Sequence, residues 1–68
     1  MELIYEFKEG LDCPVSIYHC PNDTYIVIYG AEKYDCYDYS HAAGQLGACL
    51  MHSLQCAGKF PEDYEYLD

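Results

Sequence analysis

Ser40-His-Ala-Ala-Gly-Gln-Leu-Gly-Ala-Cys-Leu-Met-His-Ser-Leu-Gln-Cys-Ala57 is the stretch whose reading decides the fold, because it is the one run long enough for a multi-turn helix. Ser40 offers a side-chain oxygen to the first turn, and Gly58 with nearby Pro61 marks the exit. At about 100° per residue, Ala43, Leu46, Gly47, Leu50, Leu54 and Ala57 share a sector expected to face a sheet. His41, Gln45, Ala48, His52 and Gln55 lie opposite, and Ala42, Cys49 and Cys56 line one flank. From Tyr39 to Gly58 there is no Asp, Glu, Lys or Arg. A solvated helix face carries Glu and Lys, so something other than water is expected to cover this one. The candidate self-association surface is His41, Gly44, Gln45, Ala48, Cys49 and His52, pairing two copies as a symmetric homodimer.

Upstream the period changes from helical to alternating. Leu3, Tyr5 and Phe7 alternate with Glu2, Ile4 and Glu6, as in a strand with one buried face. After Pro14, Val15 and Ile17 alternate with Ser16 and Tyr18, and Pro21-Asn22-Asp23 is a turn cluster. Thr24-Tyr-Ile-Val-Ile-Tyr29, closed by Gly30, is the strongest strand and is expected at the centre of the sheet. Lys33 to Tyr39 supplies a fourth strand, weakened by Asp35 and Asp38. The fold class is therefore α+β: a three- or four-stranded antiparallel meander with one C-terminal helix packed on one face. Residues 1–60 form the single domain, and 61–68 an acidic, aromatic tail.

Composition narrows the function. The chain has 68 residues, twelve acids, three lysines, no arginine and a net charge of -9. Lys8, Lys33 and Lys59 lie far apart and cannot neutralise a run of phosphates, so no direct nucleic-acid binding is expected. The charge-free stretch contains His41, Gln45, His52, Ser53 and Gln55, too polar for a membrane span. Met1 to Glu9 lacks a basic start, an apolar segment and a cleavage site, and five cysteines leave one unpaired. Reduced cysteines in a cytoplasmic protein are the expectation.

Catalytic and metal chemistry find little support in the spacing. Cys13, His19, Cys20, Cys36, His41, Cys49, His52 and Cys56 are all potential ligands. However, no Cys pair has the two-to-four-residue spacing of a structural zinc knuckle. His41 and His52 would be about 16 Å apart along a helix. No metal, no cofactor and no catalytic residues are expected. A one-helix domain offers little concavity for Cys/His catalysis, and exposed acids keep ordinary pKa values.

What the residues do suggest is protein binding. Tyrosine, a residue type enriched at binding hot spots, interleaves with acids in Tyr34-Asp-Cys-Tyr-Asp-Tyr39. The candidate partner-binding surface is Glu6, Glu9, Asp12, Asp23, Glu32, Tyr34, Asp35, Tyr37, Asp38 and Tyr39. Its expected partner is a protein with a basic surface, and its expected role is a non-enzymatic inhibitor that occupies the site of a nucleic-acid-handling protein. In gross composition the chain is similar to small phage-encoded inhibitors of host defence nucleases, with no shared motif. The alternative is a structural or assembly subunit acting through its uncharged helix face. A third reading is a thiol- or zinc-responsive switch.

Overall fold

In the computed structural model, which describes residues 1–59, four strands form one antiparallel sheet in the order β1-β2-β3-β4, followed by a single helix. The strands are β1 (Glu2–Phe7), β2 (Val15–His19), β3 (Tyr25–Tyr29) and β4 (Glu32–Cys36), and the helix is α1 (Tyr39–Cys56). This is the α+β meander that the alternating and helical periods require, with the fourth strand present. Residue 60 and the acidic tail 61–68, with Pro61, lie outside the described residues.

Turn chemistry sets the register. Tyr29 pairs with Glu32, so Gly30-Ala31 is a two-residue hairpin, and Gly30 takes the positive φ of 60° that such a turn needs at its first position. Between β2 and β3, Asp23 adopts φ 62°, its N–H donating to the Cys20 carbonyl at 3.0 Å.

The core is small. Val15, Ile17, Val27 and Cys36 from the sheet meet Ala42 and Cys49 from α1, with Leu11, Tyr25, Tyr29, Tyr34, Leu46 and Leu50 packed around them. Val15 and Ile17 lie on the helix side, as the alternation predicts. On the opposite side, Tyr18, Ile26 and Ile28 are half-buried on a sheet face that α1 leaves open.

Three expectations are corrected. The helix is capped by Asp38, whose Oδ1 accepts from the His41 N–H at 2.8 Å, instead of by Ser40. An N-cap carboxylate satisfies an orphan N–H, and the strand ends at Cys36 to free Asp38 for it. Second, α1 is turned roughly a quarter turn from the expected orientation. Ala42, Cys49 and Ser53 are buried against the sheet, whereas Ala43 and Ala57 are exposed. The flank of small residues is the contact face, because a short Ala or Cys lets the helix axis approach bulky Val and Tyr side chains. Third, β1 buries no face: Leu3 is 49 % and Tyr5 60 % exposed. α1 contacts only β2, β3 and β4, and a bulge between Leu3 and Tyr5 breaks the alternation of β1.

At its far end α1 closes as expected. Gly58 has φ 77°, its N–H reaching the Gln55 carbonyl, and the Lys59 N–H reaches the Leu54 carbonyl, both at 3.0 Å. These two bonds form a Schellman motif.

Candidate functional site

The sheet register distributes the candidate acids instead of gathering them. Glu9 and Asp12 sit in the β1–β2 connection at the end where α1 terminates, and Asp23 lies at the opposite end in the β2–β3 turn. Glu6 and Asp35 are on the open sheet face. Glu32 begins β4 on the helix side, and Tyr34 follows two residues later on the same side. Tyr37, Asp38 and Tyr39 form the β4–α1 junction, where the tyrosines are 79 % and 74 % exposed.

Every one of Glu2, Glu6, Glu9, Asp12, Asp23, Glu32, Asp35 and Asp38 is exposed. Among the described residues the single ionic contact within 4.0 Å is His19 Nε2 to Asp23 Oδ1, at 3.1 Å. Lys8, Lys33 and Lys59 therefore leave the acids unneutralised.

The residues expected at a self-association face divide. Cys49 is buried against the sheet and cannot meet a partner helix. His41 Nδ1 accepts from the Tyr37 N–H at 3.2 Å, and His52 Nδ1 is 2.8 Å from Tyr29 Oη. Both histidines are thus engaged within the chain. Gly44 remains outward, together with Gly47, which the expected orientation would have placed against the sheet; a Cβ at either would meet nothing within 4 Å. With Ser40 and the 55 % exposed Met51 they form the outward stripe of α1.

Gln45, Ala48 and His52 instead line a groove of about 600 Å³ between α1 and the sheet. Tyr29, Glu32 and Tyr34 form its sheet wall, and Cys49 its depth. Gln45 Nε2 approaches the Cys49 sulfur at 3.4 Å. Partial burial pushes the Tyr29 hydroxyl above its ordinary value, with added repulsion from the Cys56 and Cys13 thiols. The Tyr29 hydroxyl and the His52 ring are joined by one hydrogen bond, which ties β3 to α1 along the groove wall. Compared with protein-family models, curated proteins and solved structures, the chain shows no match.

Sequence reasoning missed Tyr29 as a site residue. Its signal was present in the hairpin Tyr29-Gly-Ala-Glu32, since a two-residue turn places the first and last residues side by side. Ser53 was also missed. It is fully buried, its hydroxyl donating to the Cys13 carbonyl at 2.9 Å and accepting from the Cys13 N–H at 3.0 Å, so it ties the β1–β2 connection to α1. Among the described residues no three His, Cys, Asp or Glu side chains converge as metal ligands, and no helix is long and apolar enough to cross a membrane.

Proposed function

We propose that this chain is a non-enzymatic protein-binding module, an inhibitor whose acidic, tyrosine-bearing surface occupies the basic site of a nucleic-acid-handling protein. The observation that carries this reading is the exposure of the eight described acids without lysine partners among the described residues, beside the projecting rings of Tyr37 and Tyr39. Unpaired surface carboxylates raise the encounter rate with a basic partner, while exposed tyrosines supply rigid contact area. The acids are spread over both ends and both sides of the sheet, which suits a partner that wraps or clamps the module.

Affinity capture from host lysate under reducing conditions, washed in parallel at low and high salt, tests it. The expected eluate is a nucleic-acid enzyme released by salt and lost on Glu6→Lys/Asp35→Lys reversal, at two exposed positions of the open sheet face. A salt-resistant partner indifferent to that reversal overturns it.

A second reading is favoured by the outward stripe of α1. Exposed Met51 beside Gly44 and Gly47 suits close approach of another helix, as in an assembly subunit. Met51→Glu then dissociates a salt-tolerant oligomer in sedimentation. Ala48→Arg, directed at the groove, does not.

A further inference from the structure

We propose that the groove between α1 and the β3–β4 hairpin is the seat for an arginine side chain of the basic partner, an assignment that rests on the acidic-module reading above. The first ground is the hydrogen-bonding character of its walls. Glu32 contributes a carboxylate, which only accepts. Gln45 commits one N–H of its amide to the Cys49 sulfur, which leaves its carbonyl oxygen, beside the second N–H, open to a ligand. The Tyr29 hydroxyl, bonded to His52 Nδ1 at 2.8 Å, keeps at least one oxygen lone pair for a further donor. The Glu32 carboxylate, the Gln45 carbonyl and the Tyr29 oxygen thus offer acceptors to a ligand of donors, and guanidinium carries five N–H donors and no acceptor.

The second ground is shape and charge. Tyr29 and Tyr34 put two aromatic rings on the sheet wall beside the Glu32 carboxylate, the combination that holds a planar cation by stacking and by charge. Glu32 is free of any lysine among the described residues, and Ala48, small and exposed, leaves the opening clear. The chain has no arginine, so the seat has no internal occupant of this kind. Lysine, a point charge with three donors, would satisfy fewer of the acceptors at once.

The test is titration of the full ¹⁵N-labelled chain with the blocked tripeptide Ac-Gly-Arg-Gly-NH₂ and with its neutral citrulline twin. The arginine peptide is expected to shift the Gln45 side-chain amide and the Ala48 and Tyr34 signals together, with the citrulline peptide at least about threefold weaker. Glu32→Gln should weaken binding by about three- to tenfold, and Ala48→Phe, which plugs the opening at an exposed position, should abolish the focused shifts. Equal binding of the citrulline peptide, or wild-type binding by both variants, overturns the assignment. A dodecalysine peptide separates this failure from failure of the wider reading. If it binds in a salt-dependent way while the arginine peptide leaves the groove unshifted, the groove assignment falls and the acidic-surface reading stands. If neither peptide binds, both fall.

Discussion

Single side chains join the layers of this small fold, and Ser53 does so most directly. Its hydroxyl both gives to and takes from the Cys13 backbone, and the Asp12 N–H reaches the Ser53 carbonyl at 3.3 Å. Ser53→Ala leaves a donor and an acceptor without their partner, a loss of about 1–3 kcal/mol. Urea unfolding should show the lower midpoint with an unchanged slope. Cys36 makes a different prediction. It is 1 % exposed, and burial, followed by the Asp35 charge, raises its thiol above the ordinary 9.0. The folded chain therefore holds that proton more tightly than the unfolded chain. Its contribution is fully present below the ordinary thiol value and is lost as pH rises beyond 9.0. Stability measured from pH 8 upward should decline there, and Cys36→Ala should lessen the slope. An identical slope in that variant would assign the alkaline loss to other groups.

At the scale of elements, what was legible followed from local rules. The turn of Gly30, the exit at Gly58 and the alternation in β2 each rest on one residue's conformational demand or on a period of two, and all are where those rules put them. The orientation of α1 was not legible, because its apolar sector and its small-residue flank lie side by side on an uncharged cylinder. Bulk favoured the side with Leu46, Leu50 and Leu54, yet close approach to Val15, Val27 and Tyr29 selected Ala42, Cys49 and Ser53. That choice depends on the sheet's own side chains and so is absent from the helix periodicity. The groove was hidden for the same reason, since Gln45 and His52 were assigned to the outer face. The N-cap is testable here. Asp38→Ala should cost about 1 kcal/mol by losing the bond to the His41 N–H, while Ser40→Ala should be nearly neutral in the same melts. The two helix glycines make the complementary case. With open space around each, Gly44→Ala and Gly47→Ala should each stabilise the isolated chain by about 0.5–1 kcal/mol, as expected for helix-interior glycine. If the stripe seats another helix, those variants will melt higher yet associate more weakly.

Across the whole molecule, one charge distribution governs two behaviours with opposite signs. A net charge of -9 on 68 residues, with the described acids exposed and no lysine among the described residues closing an ion pair, makes the folded chain repel itself. Unfolding spreads those charges and relieves the repulsion. Raising sodium chloride from about 0.01 M to about 1 M shortens the screening length from about 30 Å to about 3 Å, which removes most of that penalty from the folded state. If about 1 kcal/mol is recovered, the melting temperature of so small a domain rises by about 4–8 °C. The complex with a basic partner depends on the same field across an interface, where it attracts, so the same salt should loosen it. Thermal melts and binding titrations over one salt series therefore move in opposite directions. Were the acids serving solvation alone, salt would still raise the melting temperature but leave binding untouched. The sign of the second slope, read beside the first, decides whether the charge is directed at a partner or only at water.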